Sequence, residues 1–349
     1  MLKLTMVLIA ALPCAFSAPA SIKVMSRNMD AGTDLGFVLT ATDAASLAQG
    51  LAATLAEVNA ANIPARASHL ADEIAAAQPD LIGLQEVTLW RTGPLSAQPA
   101  GASTVLYDQL DLLMTELAKR QLHYAVAAVN SLTDAEVPVP SANLNLRLTD
   151  RDAVLVRNDV NQSVLDVYNI QTHRYALSLP LGALLPALAG ITVYEGYINA
   201  TVNAQGNVFQ FANTHLVSLY GNSLLTLAQL GQAGELLKAL VAAGPVVLVG
   251  DFNANADPGP DDSGTPELID AAGFTDVWKA LYPNDPGYTW PLYGEDQSAR
   301  ESVRPDERID LIFARGLTPV SEQQTGTGFF TGLFSSDHVG LVATLQAGK

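Results

Sequence analysis

Polar and acidic residues recur where apolar runs of this chain end. Asn28 follows the run 22–25, Glu86 follows 81–84, and His215 follows 209–213. Asp251 and Asn253 follow 246–249, Asp310 sits within 308–313, and Asp337 and His338 precede 339–344. Carboxylates and amide oxygens are the ligands that hard divalent cations take, and histidine moves protons near neutral pH. Taken singly, each of these residues reads as a solvated strand cap. They become a site only if the chain gathers the strand ends, as open α/β sheets do when side chains from several strands converge on a ligand.

The elements that would gather them alternate along the chain. Strand-like runs fall at 21–27, 81–84, 124–129, 153–156, 196–202, 208–213, 246–250, 308–313 and 339–344. Helical patterns fall at 43–60, 65–77, 104–120, 224–242 and 265–272, and two loop-like inserts at 93–103 and 178–190. Strands and helices without strict βαβ repetition predict layered α/β architecture with partly antiparallel sheets. No internal repeat and no linker is visible, which predicts one domain over 21–349.

Composition supports a packed core: 49% of the 349 residues are hydrophobic and 15% charged, which argues against a disordered or coiled-coil chain. Residues 1–20 read as a secretory signal, with Lys3, the apolar run 4–16, and Ala18-Pro19-Ala20 as the cleavage site. The expected location is therefore secreted or periplasmic. That run is too short to span a bilayer, and no later stretch reaches the ~18 apolar residues a span requires. Cys14, the only cysteine, lies inside the expected leader, so disulfides, zinc thiolates and cysteine nucleophiles are excluded from the mature chain. Pro13 stands where a lipoprotein would need a small residue. The charge balance, 18 Lys and Arg against 35 Asp and Glu for a net −17, favours cation binding. It argues against a tight, sequence-independent grip on nucleic acid, although fast turnover does not require one.

Six segments in order resemble the endonuclease/exonuclease/phosphatase superfamily: Ser26-Arg27-Asn28, Gln85-Glu86-Val87, Asn213-Thr214-His215-Leu216, Gly250-Asp251-Phe252-Asn253, Glu307-Arg308-Ile309-Asp310 and Ser336-Asp337-His338. That superfamily includes deoxyribonuclease I, abasic-site endonucleases, inositol polyphosphate 5-phosphatases and bacterial sphingomyelinases. The resemblance implies a four-layer α/β sandwich, two mixed β-sheets face to face with helices outside, and metal-assisted hydrolysis of a phosphodiester with Mg²⁺ or Mn²⁺. By the same resemblance, Glu86 is the main metal ligand, with Asn28 and Asp337 supporting it. Asp251 orients the attacking water, Asn253 holds that water or a phosphate oxygen, Asp310 pairs with His338, and His215 touches the phosphate from the other side. The division of acid and base roles among Asp251, His215 and His338 stays open. The chemistry itself asks for such groups: an anionic diester needs a hard cation to neutralise developing charge and an aligned, deprotonated water.

Two departures stand out. Glu195-Gly196-Tyr197 falls where related secreted members carry Arg before Gly, leaving Arg147, Arg151, Arg157 and Arg174 as possible replacements. Asp34 either caps the following helix or joins the metal site. Asp251, Asn253 and Asn255 imitate the start of an EF-hand loop, but Ala256 stands where that loop needs Gly and a β-branched run precedes it. A calcineurin-type site lacks its Gly-Asn-His-Glu element. Nucleic acid is the first substrate choice. A sphingomyelinase-like lipid phosphodiesterase is the second, since Phe329, Phe330 and Phe334 lie just before Asp337 and, if exposed together, would form a membrane-touching patch. A phosphoinositide phosphatase ranks lower for want of a polybasic pocket, and a catalytically silent binding module of the same fold is the alternative of a different class. His69, His123 and His173 are read as surface or core residues, and Trp290 as a packing residue near the site.

Overall fold

Short runs rich in Val, Ile and Leu, such as Val246–Asp251, are buried along their whole length, which requires an apolar layer on both faces of their sheet. The structure, a computed structural model, describes residues 21–33, 35–96, 101–183, 185–218, 223–240, 244–257, 263–293, 302–330 and 332–347. The expected leader, with Cys14, and Asp34 lie outside them.

Strand β1 (Ser21–Asn28) is followed by α1 (Gly36–Leu39), α2 (Ala44–Ala60) and α3 (Ile63–Ala77), then β2 (Leu81–Gln85), β3 (Leu89–Pro94) and β4 (Thr104–Asp108). Helix α4 (Gln109–Lys119) leads into the long hairpin β5 (Tyr124–Val139) and β6 (Leu144–Arg157), then β7 (Leu165–Arg174). A short pair, β8 (Leu179–Pro180) and β9 (Thr192–Val193), precedes β10 (Gly196–Ala204) and β11 (Asn207–His215). The remainder comprises α5 (Ser223–Leu240), β12 (Val246–Asp251), α6 (Thr265–Ala271), β13 (Thr275–Asp276), α7 (Val277–Leu281), β14 (Asp310–Arg315), β15 (Leu317–Thr325) and β16 (Gly340–Ala347).

One mixed sheet runs β15-β16-β1-β2-β6-β3-β4, with β5 paired to β6, and the other runs β13-β14-β12-β11-β10-β7. Their facing sides share one core, in which Val24, Leu81 and Val154 meet Ile198, Phe211, Val249 and Ile312. Leu70 and Ile74 of α3 and Leu113 and Leu117 of α4 cover the outer side of the first sheet. Leu236 and Leu240 of α5 and Ile269 of α6 cover the second. The four-layer sandwich expected from the sequence is therefore present.

Close approach of the sheets needs Gly83. A Cβ there would lie 2.6 Å from both Asn213 Oδ1 and Val249 Cγ2. Asn213 Nδ2 instead reaches across the interface and donates to the carbonyls of Leu84 (3.0 Å) and Ala153 (3.2 Å). Register then sets the site: β1 runs parallel to β2 with Asn28 opposite Gln85. In the other sheet, Asp251 is flanked by His215 on β11 and Asp310 on β14.

The expected helix over 104–120 is shorter. Thr104–Asp108, carrying Thr, Val, Leu and Tyr, forms β4 against β3, because β-branched and aromatic side chains suit a pleated surface. Asp108 then caps α4, its carboxylate accepting from the N–H groups of Leu110 and Asp111. The insert 178–190 is not plain loop either, since Leu181, Leu185 and Leu188 are buried with Leu47 and Leu51 of α2.

Candidate active site

Three site residues take left-handed backbone conformations: Asp30 (φ 59°), Glu86 (φ 53°) and Asn253 (φ 47°). This costs an L-residue about 1–2 kcal/mol, and such strain is held in place by surrounding contacts. Asp30 N donates to Asn28 Oδ1 (2.8 Å), Ala31 N to Glu86 Oε2 (2.6 Å), and Asn253 N to Asp251 Oδ1 (2.9 Å). Each strand therefore ends in a turn that re-aims an acidic or amide side chain toward one point.

Asp251 lies at that point. Asn28 Nδ2 donates both to Asp251 Oδ2 (2.9 Å) and to Glu86 Oε1 (3.0 Å). The Nε2 atoms of His215 and His338 face the same Asp251 oxygen from 3.7 and 3.8 Å. His338 Nδ1 donates to Asp310 Oδ2 at 2.9 Å, which leaves Nε2 directed at Asp251. Burial alone would lower the His338 pKa, but the charges of Asp310, Asp337 and Asp251 outweigh it and hold the imidazole well above its ordinary value. Thr289 Oγ1 accepts from the N–H groups of Ile309 and Asp310, both at 3.1 Å, and so fixes the start of β14. Arg308 turns away to Asp276 (2.8 Å), so Asp310 serves His338 and is not an ion pair with Arg308. Asn253 Nδ2 donates to Leu216 O (2.9 Å) and lies 3.0 Å from His215 Nε2.

The donor set suits a divalent cation. Glu86, His215 and Asp251 offer ligand atoms within 4.8 Å of one another, as do Asp251, Asp310 and His338. Each Glu86 oxygen accepts one hydrogen bond and keeps acceptor capacity. Asp337, beside them, is pushed up to about 7 by burial and by the charges of Asp30 and Glu86, an excess of buried negative charge that a cation would relieve. Asn28, as oriented, presents its donor nitrogen to this pair, so it organises the carboxylates.

Three acids escaped the sequence reading, and a fourth, Glu195, entered it only as a departure from the family pattern. Asp30 is buried, pairs with Arg66 Nη1 at 3.0 Å, and has a signal two residues after Asn28. Asp150 and Asp152 on β6, and Glu195 before β10, face His215 from the other side. Buried Arg27 was part of a motif yet had no assigned role. Its guanidinium donates to His338 O (2.6 Å) and Ser335 Oγ (2.7 Å), fastening the segment that carries Asp337 and His338.

Three of the four candidate phosphate arginines are held in ion pairs, and the fourth, Arg174, is engaged through its Nε. Arg147 pairs with Asp134, Arg151 with Asp108, Arg157 with Asp159, and Arg174 donates to Ser131 O. The three Phe are not exposed together. Phe334 is buried, its N–H donating to Tyr293 Oη (2.6 Å) and its ring packed on Tyr293, because the chain must turn inward to deliver Asp337. Phe329 packs on Phe334 and Phe330 stacks on His69, leaving them 49% and 41% exposed. His173 stacks on Tyr197, and the Trp290 ring lies 6.3 Å from that of His338. Among the described residues no helix is long and apolar enough to cross a membrane.

Residues 55–338 match the Endonuclease/Exonuclease/phosphatase family, and the chain belongs to it. Membership makes it a phosphoric-ester hydrolase of the phosphodiesterase or nuclease type, in a family that depends on metal. No curated protein shows significant sequence similarity. Among solved structures, an endonuclease/exonuclease/phosphatase from Beutenbergia cavernae is similar at 23% identity and TM-score 0.58, covering 94% of this chain and 72% of that one. D. rerio TDP2, complexed with single strand DNA product, is 17% identical with TM-score 0.53, covering 94% and 99%. A family protein from Bacteroides thetaiotaomicron is 14% identical with TM-score 0.54, covering 95% and 100%. At these identities the likeness is one of fold, the DNase I-like sandwich.

Proposed function

We propose that this chain is a Mg²⁺- or Mn²⁺-dependent phosphodiesterase acting on nucleic acid. The observation that carries the reading is Asp251 Oδ2 set between two imidazoles, one of them oriented by Asp310, with Glu86 joined to it through Asn28. Glu86 and Asp337 would hold the cation, with Asn28 fixing the Glu86 carboxylate. When bound, that ion supplies charge neutralisation and orientation for the phosphate. Asp251 accepts a hydrogen bond from the attacking water and aligns it, and Asn253 steadies the same water or a phosphate oxygen. His338 holds a proton on Nε2 with Asp310 behind it, and His215 faces the phosphate opposite. The fold shared with a TDP2 complexed with single strand DNA product supports nucleic acid. The leader expected at 1–20 would place the enzyme in the periplasm or outside the cell.

A lipid phosphodiester is the second reading, favoured by the half-exposed Phe329 and Phe330. Incubating the purified protein and Mg²⁺ with plasmid DNA, RNA, sphingomyelin and a bis-aryl phosphodiester separates the two. Cleavage of DNA or RNA that chelator stops is expected. Full activity after exhaustive metal removal would overturn the mechanism, and hydrolysis confined to sphingomyelin would overturn the substrate.

A further inference from the structure

We propose that Asp150, Glu195 and His215 form a second divalent-cation site, on the far side of Asp251 from His338, selective for a transition ion such as Mn²⁺ or Zn²⁺. Each of the three offers a ligand atom within 4.8 Å of the others. His215 is 6% exposed and its Nδ1 has no hydrogen-bond partner; the Glu195 oxygen it faces, on a side chain 12% exposed, has none either. The two atoms are 3.7 Å apart. That is too long for a hydrogen bond, yet two ligands on one ion with bonds of about 2.1 Å lie roughly 3–4 Å apart.

Charge points the same way. Asp152, fully buried, has both carboxylate oxygens unpartnered. Arg151, between the two aspartates in sequence, turns its guanidinium to Asp108 (2.6 Å) and Val87 O (2.7 Å). An anionic phosphodiester approaching His215 would otherwise meet this group of carboxylates, so a cation there converts a repelling wall into a phosphate contact. That role rests on the phosphodiesterase reading; occupancy of the site does not.

One imidazole nitrogen with two carboxylates suits first-row transition ions better than Mg²⁺ or Ca²⁺. Glu195 also lines a cleft of about 140 Å³ with Leu177, Val193, Val217 and Leu225.

The test counts ions on the metal-stripped full chain by equilibrium dialysis with Mn²⁺, read by electron paramagnetic resonance and needing no substrate. Two ions per wild-type chain are expected. Glu195→Gln and, separately, Asp150→Asn should each weaken one of them by at least the roughly 10–100-fold that loss of an outer-shell partner costs, while Glu86→Gln weakens the other. Circular dichroism melts check each fold, and the wild-type count and the Asp150→Asn variant stand if Glu195→Gln misfolds. A single ion lost with Glu86→Gln but kept by Glu195→Gln and Asp150→Asn overturns the second site and leaves the proposed function intact. No bound ion in the wild type overturns both.

Discussion

Two imidazoles stand on either side of Asp251 at nearly equal distance, but they are held differently. His338 is anchored by a 2.9 Å hydrogen bond from Nδ1 to Asp310. His215 Nδ1 makes no hydrogen bond, although Glu195, Asp251, Asp152 and Glu86 charge its surroundings enough to outweigh burial and push its pKa up to about 10. One side is a preorganised proton holder with its tautomer set by a single carboxylate. The other has surplus carboxylate and little hydrogen bonding, which is how residues are arranged around a cation. Their difference predicts that changes on the His338 side act on turnover, whereas changes on the Glu195 side act on metal binding and on pH-dependent stability.

The largest effect is expected from His338→Ala and Asp251→Asn. Each should lower kcat by at least about 10² with the fold intact, since positioned acid–base groups contribute about 10² to 10⁴. Near wild-type turnover in both would reject the assignment of this side. Asp310→Asn should cost less, about tenfold, and also displace the limb of the pH–rate profile governed by His338 to lower pH, because a neutral amide removes the principal charge that raises it. An unmoved limb would show that Asp310 merely packs.

On the other side the effect is one of stability. In the metal-free protein burial raises Glu195 to about 8 and Asp150 to about 6. Their folded values exceed their unfolded ones, so the folded state binds more protons through this window and stability falls as pH rises from the ordinary carboxylate range through about 8. His215 adds to the trend: its contribution is complete below about 6.5 and fades as pH climbs through about 10. Thermal melts without metal should therefore decline from pH 5 to pH 9, and Mn²⁺ should flatten the decline. Glu195→Gln should match wild type near pH 5 and exceed it at pH 9 by a few degrees, about 2–4 °C for each kcal/mol relieved. A metal-free melting temperature that rises with pH would contradict the placement of these acids.

The same contrast marks how much was legible in sequence. Glu86, Asp251, Asp310 and His338 each adjoin a short apolar run, so a polar residue at a strand end was enough to pick them out. Asp150 and Asp152 lie inside β6, of which only 153–156 showed as a strand, because polar residues alternate with apolar ones through its first half, which is paired on both sides by β3 and β5. Glu195 precedes β10 and reads as a departure from a family pattern. It joins the site only because Gly196 pairs with His215 across β10 and β11. The sandwich was visible from the central strands and the family resemblance. Polar edge strands such as β7 and β15 were not, because pairing across the chain forms them and local propensity does not.

The smallest expected effect tests whether the surface beside His338 has any share in substrate choice. Phe329 and Phe330 are half exposed, while Phe334 beneath them is buried against Tyr293. The exposed apolar area is thus two rings, each already packed on one side, against Phe334 and His69 respectively. With Phe334 absent from the surface, the membrane-touching patch lacks its third member, and a nuclease needs no such patch. Replacing Phe329 and Phe330 by Ser should then change hydrolysis of DNA less than about tenfold, well below the effect of a positioned acid–base group. The comparison to run is the double variant against wild type on DNA, liposomal phospholipid and a short-chain soluble analogue. Equal loss on all three substrates would assign the rings to packing around Ser335 and His338. Selective loss on liposomes, with the soluble analogue still hydrolysed, would transfer the site from nucleic acid to lipid while leaving the Asp310–His338 chemistry unchanged.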